Sequence, residues 1–152
     1  AGAVDGKGIS TYPNGMIYDG NFKNGKIHGF GLMTFSDSYR YEGFWENGER
    51  HGVGKVAYRD GTTYEGQFEA GQRSGKGIMQ MEDGFEYTGQ WLSGEMHGLG
   101  MAKYANGDIY EGNFFAGRRQ GQGSMRYATG VNSGGIWTDG ALKSDEPSIV
   151  QD

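Results

Sequence analysis

The chain repeats itself every 23 residues. YEGFWENGERHGVG, which starts at 41, returns as YDGNFKNGKIHGFG at 18, YEGQFEAGQRSGKG at 64, YTGQWLSGEMHGLG at 87 and YEGNFFAGRRQGQG at 110. A fixed period of this size marks stacked supersecondary units, none of which can bury its apolar face alone. Counting the leading tyrosine as position 0, the slot is filled by Tyr18, Tyr41, Tyr64, Tyr87 and Tyr110, with Ser133 in the sixth copy. Position 2 is Gly20, Gly43, Gly66, Gly89, Gly112 and Gly135, and position 4 is Phe22, Trp45, Phe68, Trp91, Phe114 and Trp137. Positions 7, 11 and 13 are glycine in all five complete copies.

The pattern reads as two strands per repeat. Positions 0, 2 and 4 alternate with polar residues such as Asp19 and Asn21, and positions 11 to 17 alternate likewise through Gly29, Gly31, Met33 and Phe35, which is the period of a strand. Between the two runs stands Asn24-Gly25 or Asn47-Gly48. That pair signals a two-residue type I′ turn, whose central residues both need φ > 0. The connection between repeats is predicted to hold three residues, Pro13-Asn14-Gly15, Arg59-Asp60-Gly61, Glu82-Asp83-Gly84 and Ala105-Asn106-Gly107. This is the length of a type I turn closed by a left-handed glycine bulge. Ser38 stands in the glycine slot of FSDSYR, so strain of about 1 kcal/mol is expected there, relieved by Ser38→Gly.

The turn also predicts the pairing. It sets Tyr18 opposite Gly31 and Gly20 opposite Gly29, so that each ring lies over bare backbone. A single hairpin is marginal, and stability is expected from stacking hairpins into one all-β, single-layer antiparallel meander with nearest-neighbour energetics. Composition agrees with this reading. The 31 glycines among 152 residues and a hydrophobic share of only 35% argue against an ordinary two-layer core, while 14% aromatics argue against disorder. Burial has to come from flat rings.

The copies resemble the MORN repeat (membrane occupation and recognition nexus), whose pattern is met at Tyr41, Glu42, Gly43, Trp45, Asn47, Gly48, His51, Gly52, Gly54, Tyr58, Asp60 and Gly61. The resemblance covers a half-repeat at 3–17, full repeats at 18–40, 41–63, 64–86, 87–109 and 110–132, and a partial repeat at 133–143 before a tail at 144–152, all within one domain. Met81, Ser74, Gln120 and Ser133 depart from the pattern. It implies an elongated, twisted sheet with a groove, used as an adaptor for proteins, for self-association, or as an accessory module beside a catalytic domain such as a kinase or methyltransferase. A phosphoinositide-binding role is also implied.

The residues weigh these uses. His28, His51 and His97 all hold position 10, about 9.6 Å apart from repeat to repeat. Neighbours at that spacing cannot share a metal at about 2 Å, so the histidines read as turn residues that bond backbone. Asp19, Glu42, Glu65 and Glu111 form a ladder at position 1 rather than an acid and base pair, and GKG at 6–8 and 75–77 opens no helix that could hold phosphate. No catalytic residue, cofactor or metal site is expected, and the chain is read as a non-enzyme. With 14 basic against 19 acidic residues the net charge is −5, which disfavours membrane lipid and argues against nucleic acid. Cysteine is absent and leaves the compartment open, a cytoplasmic, cytoskeletal or membrane-associated setting being favoured. The opening AVDGKG starts in mid-pattern, as in a chain trimmed from a longer one.

Protein binding has the better physical case. A one-layer sheet cannot bury both faces, so the ring rows are expected to stay partly accessible as a groove: Tyr18, Tyr41, Tyr64, Tyr87 and Tyr110 beside Phe22, Trp45, Phe68, Trp91 and Phe114. About thirteen strands would give a strip of roughly 60 Å for a protein or peptide ligand. Phe44, Phe85 and Phe115 are candidates for specificity because the repeat does not require them. A homodimer through the C-terminal edge near SGGIWTDG competes for the same features, against the acidic tail SDEPSIVQD.

Overall fold

The structure is a computed structural model and describes residues 4–36 and 38–144. It divides into two compact units, Ala1–Arg73 and Ser74–Asp152. The first holds β1 (Gly6–Thr11), β2 (Met16–Lys23), β3 (Lys26–Phe35), β4 (Tyr39–Glu46), β5 (Glu49–Ala57) and β6 (Thr63–Glu69). Each pairs antiparallel with the next in chain order, making one open sheet. β7 (Gln72–Gln80) spans the boundary, and β8 (Glu86–Leu92), β9 (Glu95–Lys103), β10 (Ile109–Phe115), β11 (Arg118–Arg126), β12 (Asn132–Thr138) and β13 (Ala141–Ser144) continue the same meander in the second unit. No helix occurs among the described residues. The acidic tail beyond 144 lies outside them.

The tight turns are as their residues dictate. Asn24 and Gly25 have φ of 52° and 79°, Asn47 and Gly48 of 50° and 86°. Ala70, Ser93, Ala116 and Asp139 take the same left-handed place before a glycine. Turns are also tied to the hairpin before them, since the Gly48 N–H donates to Ile27 O (2.8 Å) and the Gly71 N–H to Arg50 O (3.0 Å). Longer loops hold three residues closed by a left-handed glycine, Gly15 with φ 95° and Gly61 with φ 91° among them. The exception is the loop between Phe35 and Tyr39. There Ser36, at its first position, has φ 55°, and the Ser38 hydroxyl donates to Phe35 O at 2.9 Å. Ser36 carries the left-handed backbone described in this loop, while the strain expected at Ser38 turns on Asp37, which lies outside the described residues.

The pairing differs from expectation by two residues. Tyr18 lies opposite Met33 and Gly20 opposite Gly31, while Phe22 pairs with Ile27. One residue of β2, Asn21, thus faces three of β3, His28 to Phe30, and left-handed Gly29 (φ 88°) makes this bulge possible. The shift recurs at Gly43/Trp45, Gly89/Trp91 and Gly112/Phe114, with left-handed Gly52, Gly98 and Gly121. The bulge brings glycine opposite glycine. A row Gly8, Gly20, Gly31, Gly43, Gly54, Gly66 crosses the first sheet, and a row Gly77, Gly89, Gly100, Gly112, Gly123, Gly135 crosses the second.

Candidate functional site

One face of each sheet carries the ring rows and the glycine row. A methyl group at Gly54 would fall 2.6 Å from Tyr41 Cζ, and one at Gly31, Gly100 or Gly123 would likewise strike the tyrosine of its own repeat. The rings therefore do lie on naked backbone, reached diagonally rather than directly across. Each hydroxyl then donates to a carbonyl three residues on: Tyr18 to Asn21 O, Tyr41 to Phe44 O, Tyr64 to Gln67 O, Tyr87 to Gln90 O and Tyr110 to Asn113 O, at 2.8–2.9 Å. Burial pushes the hydroxyls of Tyr18, Tyr64, Tyr87 and Tyr110 up to about 12 and raises that of Tyr41 as well. Neutral phenols satisfied by backbone are structural groups.

Ring meets ring edge to face along the row. Tyr18 contacts Phe22 at 5.2 Å and Trp45 at 5.7 Å, and Tyr41 contacts Trp45 at 4.8 Å and Phe68 at 5.3 Å. Tyr87 and Tyr110 contact Phe114 and Trp137 in the same way. The indole N–H groups reach back as well, Trp45 to Gly31 O, Trp91 to Gly77 O and Trp137 to Gly123 O. In consequence Tyr18, Tyr41, Tyr64, Tyr87 and Tyr110 are closed to solvent and Trp45, Phe68, Trp91 and Phe114 are buried; only Phe22 is half-exposed. The accessible strip expected of these ten rings is absent, because edge-to-face interlocking seals them from repeat to repeat. They form a floor.

Above this floor stand the residues of position 9. The Arg50 guanidinium lies 5.0 Å from the Phe68 ring and 5.9 Å from the Tyr41 ring, and it donates to Tyr39 Oη (3.1 Å) and to Gly71 O. Arg73 lies over Tyr64 and donates to Tyr58 Oη. Arg119 lies over Tyr104, Tyr110 and Trp137 and donates to Tyr104 Oη and Gly140 O. Arg50 and Arg119 are struts that cross the face from turn to loop, and the cation–π contact holds each of the three arginines on its ring. At Ile27 no strut exists. There the face opens into a hollow of ≈ 600 Å³, the size of a small-ligand site.

The other face is built differently. Its ladder of charges includes Arg40 and Glu42 at 3.5 Å, and amide side chains clip the bulges, Asn21 Nδ2 to Phe30 O and Asn113 Nδ2 to Gln122 O. Phe44 takes the amide's place in the second repeat. It is 48% exposed and meets Phe30, 45% exposed, at 5.4 Å. Phe115, 59% exposed, lies 5.4 Å from His97. Phe85 is half-buried on the ring face, 5.5 Å from Tyr104. The three specificity candidates therefore do not converge on one site.

The histidines have structural neighbours. His28 Nδ1 accepts the Asn47 N–H at 3.3 Å, as Asp5 Oδ1 accepts that of Asn24 and Gln120 Oε1 that of Asp139. His51 Nε2 lies 3.2 Å from Glu46 Oε1. Among the described residues no three His, Asp or Glu side chains gather so as to hold a metal ion. Sequence reasoning missed the struts, although arginine at position 9 of three repeats was a readable signal.

A sequence model of the MORN repeat matches the chain six times, over residues 2–17, 18–38, 41–63, 64–85, 87–109 and 110–131. No curated protein matches it. Among solved structures, it is similar to the SAS-4 (dCPAP) TCP domain of Drosophila melanogaster, solved in complex with a proline-rich motif of Ana2 (dSTIL). The likeness has a TM-score of 0.52 at 16% identity and covers 86% of this chain and 72% of that one. At such identity the fold is what is shared.

Proposed function

This chain belongs to the MORN repeat family, and we propose that it works as a non-enzymatic binding scaffold that holds an extended segment of a partner protein along its ring face. The observation that carries the reading is the layering of that face. A sealed aromatic floor is crossed by arginine struts, and it opens at Ile27 into an apolar hollow. Tyr18, Tyr41, Tyr64, Tyr87 and Tyr110, with Phe22, Trp45, Phe68, Trp91 and Phe114, shape the floor beneath a ligand rather than touching it with their faces. The similar TCP domain is itself seen with a proline-rich motif, which supports an extended peptide as the ligand class. The tyrosine hydroxyls are spent on carbonyls, and no catalytic step is assigned.

Selection from a displayed library of random twelve-residue peptides tests this, with amide NMR shifts mapping where the enriched peptides sit. Enrichment with shifts on Met16, Ile27 and Met33 is expected. Failure to enrich any peptide, or shifts confined to Phe30, Phe44 and Val53 on the other face, would refute the reading.

A further inference from the structure

Struts use two partners. Arg119 donates to the hydroxyl of Tyr104 on one side of the ring face and to the carbonyl of Gly140, in the next turn, on the other. Arg50 does the same between Tyr39 and Gly71. Four repeats before Tyr104 and Gly140, on either side of Ile27, the equivalent residues are Tyr12 and Gly48. Both are present and both line the hollow, together with Met16, Lys26, Ile27 and Met33. The anchor points of a strut have been kept while the strut itself is replaced by isoleucine. In the fourth repeat, by contrast, methionine holds position 9 at Met96 and also the opposing place at Met81, so no unused hydroxyl is left.

Polar groups around the hollow are correspondingly unspent. Tyr12 Oη makes no hydrogen bond to a described residue, and Lys26 has no ion pair among the described residues. No carboxylate lines the hollow, and Lys26 is the one charge among its lining residues. A low-polarity cavity with one ammonium at its rim and one free phenol on its wall is complementary to an apolar side chain carried beside a carboxylate.

We infer that the gap at Ile27 is the specificity pocket of the scaffold proposed above, on which this inference rests. It takes a proline or aliphatic side chain from an extended acidic peptide of a partner protein. The peptide's carboxylate meets the Lys26 ammonium, and the Tyr12 hydroxyl donates a hydrogen bond to one of its backbone carbonyls.

Peptides enriched on the parent chain are measured by fluorescence anisotropy against Ile27→Arg, Ile27→Val and Lys26→Glu. Ile27→Arg installs the arginine that three other repeats already hold at this position, so circular dichroism and melting should match or exceed the parent. Affinity should fall by about tenfold or more, since filling the pocket removes the burial of one apolar side chain. Ile27→Val should change it little. Lys26→Glu should weaken acidic peptides several-fold and favour counterparts with Lys in place of Glu, a charge swap that decides the matter even if Ile27→Arg does not fold. Enriched peptides that bind both Ile27→Arg and Lys26→Glu as tightly as the parent, or that are basic, overturn the pocket and leave the scaffold standing. Absence of any enriched peptide overturns the scaffold.

Discussion

Adding one methyl group at Gly54 should break the second repeat, and removing one ring should mend it. An alanine Cβ there would lie 2.5 Å from Tyr41 Cε1 and 2.6 Å from its Cζ, inside the contact distance of about 3.5–4.0 Å. Tyr41 is closed to solvent, bonded to Phe44 O at 2.8 Å and wedged against Trp45 and Phe68, so the ring has to leave rather than turn. A ring of 150–250 Å² at 25 cal/mol/Å² sets a ceiling of about 4–6 kcal/mol, to which the lost hydrogen bond adds about 1 kcal/mol. Alanine's advantage over glycine in a strand returns about 0.5–1 kcal/mol. A net loss of about 3–5 kcal/mol is expected, read as a lower urea midpoint. In a Tyr41→Ser background the methyl enters the vacated space and Gly54→Ala should cost less than about 1 kcal/mol, a coupling at the upper end of measured cycles. Gly43→Ala is the control. Its Cβ would meet Gly54 Cα at 2.5 Å and Val53 O at 2.6 Å, which are backbone, so Tyr41→Ser should not rescue it. Equal costs for Gly54→Ala with and without Tyr41 would refute the nesting of ring on glycine.

Three further outcomes are expected. Tyr18, Tyr64, Tyr87 and Tyr110 titrate at about 12 in the fold against about 10 when unfolded; the raised folded value means that stability is whole below pH 10 and drains away between about 10 and 12. Phenolate absorbance from these rings should therefore appear together with loss of the β signal in circular dichroism, and ionisation near pH 10 in an intact sheet would contradict it. Ser36→Gly should raise the melting midpoint by relieving φ 55°, a gain of up to about 1 kcal/mol, and a lower midpoint would count against the loop geometry. Trp45→Phe, which loses the bond to Gly31 O but keeps a ring as Phe68 and Phe114 do, should cost about 1 kcal/mol, whereas Trp45→Ala should cost about 3–5 kcal/mol in the same denaturation assay.

Turns were legible because left-handed backbone admits few residue types: Asn24-Gly25 and Asn47-Gly48 could hardly be anything else. The bulge at Gly29 was not, for a reason of parity. Two extra residues leave every later side chain on the face it would have had, so a period of two runs through the bulge undisturbed. Ring burial at Tyr41 and Trp45 was misjudged for another reason. Period shows which face a ring takes but not that Arg50 lies across it or that the next repeat's Phe68 closes its edge. Phe44 and Phe115 did announce themselves, since a side chain the repeat has no use for stands out against it. The Ile27 gap was equally readable in principle, as the position 9 where an aliphatic stands between a kept tyrosine, Tyr12, and a kept turn glycine, Gly48, but only once the struts had shown what the position does.

The central claim is that each tyrosine ring rests on the glycine of the neighbouring strand, and proton NMR of the native chain reads this directly. Ring currents should move one Hα of Gly31, Gly54, Gly100 and Gly123 well upfield of the turn glycines Gly48 and Gly94, with cross-peaks to the rings of Tyr18, Tyr41, Tyr87 and Tyr110 in turn. Glycine protons at ordinary positions, without those cross-peaks, would contradict it.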